Sequence, residues 1–132
     1  MEHAIPALDE IYTEIGQELI NFIPDDFKES WIRIEMIQDV WSISIFYKKP
    51  KGTYGYINED FDSLEDKIRS LYSLYKDETS KPWSSATFHL TNTFEMDLNL
   101  GYEDISDFGK SSERREMWIK HYLGEDAQID WY

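Results

Sequence analysis

Trp31-Ile32-Arg33-Ile34-Glu35-Met36-Ile37, followed by Val40-Trp41-Ser42-Ile43-Ser44-Ile45-Phe46-Tyr47, is the stretch that decides the fold. Ile32, Ile34 and Met36 alternate with Trp31, Arg33 and Glu35. Trp41, Ile43, Ile45 and Tyr47 alternate in turn with Ser42, Ser44 and Phe46. A period of two marks β-strands, and a turn near Gln38-Asp39 joins these two into a hairpin with one buried face. Lys48-Lys49-Pro50-Lys51-Gly52 is a basic turn, and Tyr54-Gly55-Tyr56-Ile57 offers a third strand. Gly52 and Gly55 are too sparse for a phosphate-binding loop, and no Gly-Lys-Ser or Gly-Lys-Thr follows.

On the N-terminal side the period lengthens. Leu8, Ile11, Tyr12, Ile15, Leu19 and Phe22 recur at spacings of three and four with acids between them, which predicts a helix that Pro6 opens and Pro24 stops. After the hairpin, Phe61, Leu64, Ile68, Leu71, Tyr72 and Tyr75 form a second helical stripe. Asp62 and Glu65 fit a capping box, and Ser80-Lys81-Pro82 is the break. Trp83 to Leu90 and Phe94 to Leu100 read as another hairpin turning at Thr91-Asn92-Thr93, with Asn92 expected in the left-handed conformation. Ser111 or Ser112 is expected to cap a third helix that ends at Gly124. The predicted fold is therefore α+β, one domain over residues 1–132. Its antiparallel sheet of four to five strands packs with three helices in the order α-β-β-(β)-α-β-β-α.

Charge narrows the function. Asp and Glu number 27 against 13 Lys and Arg, a formal net charge of −14. The excess lies in two blocks: residues 1–30 hold eight acids against Lys28 alone, and residues 77–107 hold seven against Lys81 alone. Two acidic blocks suit a basic partner and disfavour direct binding to nucleic-acid phosphates or to an anionic membrane. The chain holds no cysteine, which removes disulfides, thiolate nucleophiles and sulfur-ligated zinc together. No basic and apolar leader opens the chain, and no apolar run approaches the roughly 18 residues of a membrane span, so the cytoplasm is the expected location.

Catalytic motifs are sparse. His3, His89 and His121 form no paired zinc motif, no Gly-x-Ser-x-Gly occurs, and Ser84, Ser85, Ser111 and Ser112 sit at a strand start and a helix cap. Glu95 and Asp97 alternate with Phe94, Met96, Leu98 and Leu100 and so share one strand face with Asn99. Such a row can bind Mg²⁺ or act as an acid and base, can meet an Arg/Lys cluster, or can simply solubilise the strand. His89 alternates with the apolar positions of its own strand, which points it at the surface or at a partner. Of the five tryptophans, Trp41 and Trp118 are expected in the core, while Trp31, Trp83 and Trp131 divide between core and interface.

Several of these segments together resemble a known family. Leu8-Asp9-Glu10-Ile11-Tyr12-Thr13-Glu14-Ile15-Gly16-Gln17-Glu18-Leu19 with Ile23-Pro24-Asp25-Asp26-Phe27 is similar to the opening helix and stop of the YezG-like immunity or antitoxin proteins of Gram-positive bacteria. Lys81-Pro82-Trp83-Ser84-Ser85-Ala86-Thr87-Phe88 resembles that family's Pro-Trp segment. The most distinctive blocks are Asp97-Leu98-Asn99-Leu100-Gly101-Tyr102-Glu103-Asp104 and Ser111-Ser112-Glu113-Arg114-Arg115-Glu116-Met117-Trp118, with Tyr122-Leu123-Gly124.

The resemblance implies a small cytoplasmic α+β protein that sequesters a cognate secreted polymorphic toxin, a basic nuclease, without catalysis, cofactor or metal. Glu95, Asp97, Glu103, Asp104, Trp83 and His89 are the residues expected to meet that partner. Arg114 and Arg115, in the first turns of a helix, oppose its dipole and call for a local carboxylate such as Asp104 or Asp107. The rival is a metal-assisted hydrolase using Glu95, Asp97 and Asp104. Self-association is left open.

Overall fold

The computed structural model describes residues 6–37, 40–59, 61–79, 83–105 and 108–131. The hairpin forms as expected: β1 (Glu29–Ile37) pairs antiparallel with β2 (Val40–Lys48), Ile32 opposite Ile45 and Ile34 opposite Ile43. The Gln38-Asp39 turn itself lies outside the described residues. β3 (Tyr54–Ile57) adds to β2, while β4 (Ser85–Thr91) pairs with the other side of β1 and carries β5 (Met96–Gly101). A two-residue strand, β6 (Ile129–Asp130), runs parallel to β3. Among the described residues the sheet is thus six-stranded and mixed, in the order β5-β4-β1-β2-β3-β6, where the sequence predicts an antiparallel sheet of four to five strands. A pair of residues carries no readable periodicity. What forms β6 is tertiary: the Tyr54 N–H donates to the Gln128 carbonyl (2.9 Å), and Lys49 Nζ reaches Asp130 Oδ2 at 2.7 Å.

Two helices, α1 (Pro6–Phe22) and α2 (Asp62–Thr79), cover one face. Their stripes interlock over the even-numbered residues of β1 and β4 and the odd-numbered residues of β2. Ile15, Leu19, Leu64, Ile68 and Leu71 meet Ile32, Ile34, Ile45, Phe88 and Leu90 in one core. Each such fully buried side chain contributes about 1.5–3 kcal/mol. Phe22 and Phe61 meet edge to face across the helix pair, with ring centroids 5.0 Å apart.

The expectation of a single buried face fails for β1. Ser30 through Glu35 are all buried, because β1 is the central strand and a second layer covers its other side. That layer is α3 (Ser111–Tyr122) with the turn that follows it. None of its helical residues is fully buried, and it is held by Trp118, Ile119, Tyr122 and Leu123 against Trp31, Phe46 and Tyr54. Trp118 lies 4.9 Å from Phe46 and donates its Nε1–H to Thr87 Oγ1 at 2.8 Å.

Gly124 ends α3 as the sequence predicts. It takes φ of +110°, and its N–H and that of Leu123 both return to the Ile119 carbonyl, one of the acceptors that the last turn of the helix leaves open. The start differs. Lys110 occupies the cap position with no side-chain cap, and the Ser111 hydroxyl accepts from Arg114 instead.

Candidate functional site

The β4–β5 hairpin assembles most of the residues that the sequence singled out. Its turn runs through Thr91 to Phe94, the Phe94 N–H donating to the Thr91 carbonyl at 3.0 Å. The left-handed residue is Phe94, with φ of +66°, and not Asn92. The three-residue loop explains the difference: a tight turn followed by one left-handed residue closes it, and that residue falls at position 94. Thr91 Oγ1 accepts the Glu95 N–H at 3.1 Å, and Thr93 Oγ1 donates to Glu95 Oε1 at 3.1 Å. The sequence placed these threonines only as turn residues. They fix the Glu95 carboxylate at the hairpin tip.

On the second face of the sheet, His89 stacks on Trp31 with ring centroids 5.4 Å apart. Its Nε2 lies 3.2 Å from Glu29 Oε1 and its Nδ1 3.5 Å from Asp97 Oδ2. The ring is therefore bracketed by two carboxylates, and Asp97 remains three-quarters exposed. Glu29 and Trp31 reach this group because β1 lies beside β4, Trp31 opposite His89 and Glu29 opposite Thr91. Sequence reading missed Glu29, since its contribution depends on which strand β4 joins.

Glu103 and Asp104 stand beyond the opposite end of β5, both exposed. The backbone there is pinned by Ser84, whose hydroxyl donates to the Glu103 carbonyl at 2.6 Å and whose N–H donates to the Gly101 carbonyl at 2.8 Å. Gly101 suits this crossing, because a Cβ on it would run into Ser85 Oγ and the Glu103 carboxylate. The four carboxylates thus divide into two pairs, one at each end of the same strand. Trp83 is elsewhere: it is fully buried, edge to face with Trp41 and Tyr72, and presents no surface to a partner. The indole fills the space under the start of β4, so its expected interface role gives way to a core role.

Beneath α3 lies a second polar group. Glu35 is buried and receives Arg33 Nη2 at 3.2 Å and Arg114 Nε at 2.9 Å. Burial is the chief influence on the Arg33 guanidinium and lowers its pKa from the ordinary arginine value. Glu35 opposes that effect, while the positive charges of Arg114 and Arg115 add to it. Arg114 therefore has a structural carboxylate partner 79 residues away in sequence; the Asp107 alternative lies outside the described residues. Arg115 instead lies over the Trp131 ring, 5.1 Å from its centroid. The alternation of Arg33 with Glu35 on one strand face was the available signal for this group. A shallow cavity of about 320 Å³ opens beside it, lined by Thr87, Asn99, Trp118 and Tyr122 among others.

Among the described residues, no group of three or more His, Asp and Glu side chains is placed to hold a metal ion. Among them, too, no helix is long and apolar enough to cross a membrane.

The chain is thus a small α+β domain with carboxylate pairs at both ends of β5 and an α3 anchored by a buried ion group. The model of the family described as immunity protein YezG-like matches residues 8–130, and the chain belongs to that family. Among its relatives, the type VII secretion system protein EsaG of Staphylococcus aureus (strain NCTC 8325 / PS 47) is 26% identical over 120 residues, covering 78% of this chain and 74% of that protein. Immunity protein YezG of Bacillus subtilis (strain 168) is 20% identical over 133 residues, covering 89% and 88% respectively. Its general role is accordingly that of an immunity protein, or antitoxin, of a polymorphic toxin system.

Proposed function

We propose that this chain acts in the cytoplasm, binding a cognate toxin domain through its acidic surface and blocking it stoichiometrically, and that the toxin is a basic nuclease. The observation that carries this reading is the placement of the exposed Glu95, Asp97, Glu103 and Asp104 in two pairs, one at each end of β5, within a chain of net charge −14. A nuclease needs a basic groove for phosphate, and an acidic protein that fills such a groove competes with the substrate. Complementary charge of this kind raises the association rate and suppresses wrong partners.

His89 belongs to the same surface. Clamped between Glu29 and Asp97, it holds the Asp97 carboxylate beside β4. The name of the Bacillus relative, an immunity protein, agrees with this role. Catalysis has no part in the reading, and the metal-assisted alternative through Glu95, Asp97 and Asp104 lacks a ligand cluster among the described residues.

The test is a variant with Glu95→Gln, Asp97→Asn, Glu103→Gln and Asp104→Asn together, titrated against the cognate toxin domain at low and high salt. Affinity should fall at least about tenfold at low salt, and the salt dependence should flatten, because screened long-range attraction is what has been removed. Equal affinity for variant and parent at both ionic strengths would refute the acidic-surface assignment.

A further inference from the structure

β5 is the last strand of the sheet, and among the described residues no strand pairs with its outer edge. The Thr91 N–H to Glu95 carbonyl bond sets the hydrogen-bonding parity of the β4–β5 ladder. Asp97 and Asn99 then face β4, and the N–H and C=O groups of Met96, Leu98 and Leu100 point outward. Proteins commonly blunt such an edge with lysine, proline or a covering loop. Residues 96–101 contain neither lysine nor proline, and Asp97 is their one charged side chain. Exposed apolar side chains frame the edge: Phe94 is 63% exposed and Met96 40% at one end, and Tyr102 is 54% exposed at the other.

We infer that the outer edge of β5 is a docking edge, on which the toxin adds an extended basic segment as a seventh strand. This rests on the toxin-binding reading above and specifies its mode. Charge selects the occupant. Glu95 and Asp97 lie at one end of the edge and Glu103 and Asp104 at the other, so a second copy of this chain would set carboxylates against carboxylates. A strand carrying Lys or Arg at its flanks meets opposite charge at both ends. Main-chain hydrogen bonds supply affinity in such an addition, and the flanking side chains supply specificity. Phe94 is the apolar anchor. It is 63% exposed and holds a left-handed conformation that glycine adopts without steric cost, so the phenyl ring strains the turn and offers most of its surface to a partner lying along β5.

Two variants and one exchange measurement test the inference against the purified toxin domain. Met96→Pro removes an outward N–H and obstructs pairing on that edge while sparing the bonds to β4. Phe94→Gly relieves the turn and removes the anchor. Each should weaken toxin binding at least tenfold, with the thermal midpoint of Phe94→Gly unchanged or raised. In the complex, the amides of Met96, Leu98 and Leu100 should gain protection from hydrogen exchange.

Tight binding by the parent, with both variants equally tight and the three amides unprotected, would overturn the edge-docking inference and leave toxin binding intact. No binding by the parent would overturn both readings. A dimer of the parent that Met96→Pro dissociates would replace the toxin strand by a second copy and likewise overturn the inference.

Discussion

Glu35→Gln should destabilise the fold more than Arg114→Met, although each removes one member of the same buried group. Glu35 is the shared acceptor: Arg33 approaches it at 3.2 Å and Arg114 at 2.9 Å, with the three side chains only 9–18% exposed. At an effective dielectric near 20, two unit charges about 4 Å apart attract by about 4 kcal/mol, and most of that gross attraction is offset by desolvation. Replacing Glu35 by glutamine removes both attractions and leaves two guanidinium groups facing each other without a counter-charge. Breaking a buried pair in this way costs about 3–5 kcal/mol, and partial exposure favours the lower end, near 3 kcal/mol. Arg114→Met leaves Glu35 paired with Arg33 and keeps an apolar stem against the sheet, so about 1 kcal/mol is expected. With a urea slope of about 2 kcal/mol per molar, the unfolding midpoints should fall by about 1.5 M and about 0.5 M respectively. Tryptophan fluorescence follows the transition, because Trp31 and Trp118 lie in the layer that α3 closes. Equal losses, or a larger loss for Arg114→Met, would refute the placement of Glu35 at the centre of the group.

Two further outcomes follow from the C-terminal segment. Gly124→Ala places a Cβ at φ of +110° and should cost about 1–2 kcal/mol, read as a lower melting temperature; an unchanged melting temperature would contradict the left-handed stop. The hydrogen bond from Lys49 is the main reason the Asp130 carboxyl lies below its ordinary 3.8, and the same bond raises Lys49 above 10.5. A depressed carboxyl stabilises the fold above its unfolded pKa and loses that contribution as pH falls through the folded value; the raised lysine contributes below 10.5 and loses it at higher pH. The β6 tether should therefore be complete between those limits, and an NMR titration of Asp130 should move upward toward 3.8 in Lys49→Met. An Asp130 midpoint unchanged by that substitution would contradict the pairing.

Local pattern was enough for every long element. The two-residue alternation of β1 and β2, the helical stripes of α1 and α2 and the stop at Gly124 are properties of neighbouring residues, and the structure reproduces them. What the sequence hid was long-range. β1 looks half exposed on its own, because Trp31, Arg33 and Glu35 are buried only once α3 returns from the far end of the chain to cover them. β6 exists through its pairing with β3 and has no pattern of its own. The acids of β5 were legible as a row, since alternation places Glu95 and Asp97 on one face. Glu29 joined them only through the β1–β4 pairing, and Trp83 left the candidate surface because its surroundings, Trp41 and Tyr72, come from other elements. Aromatic residues beside a strand suit a core and an interface equally well, and burial separates the two.

The central claim is that the chain neutralises a toxin by binding it. Titrating the purified protein against the cognate toxin domain, with binding and nuclease activity read from the same samples, tests this most directly. Saturation at one-to-one stoichiometry, with activity lost at equivalence, is the predicted result; absence of binding with undiminished nuclease activity would contradict it.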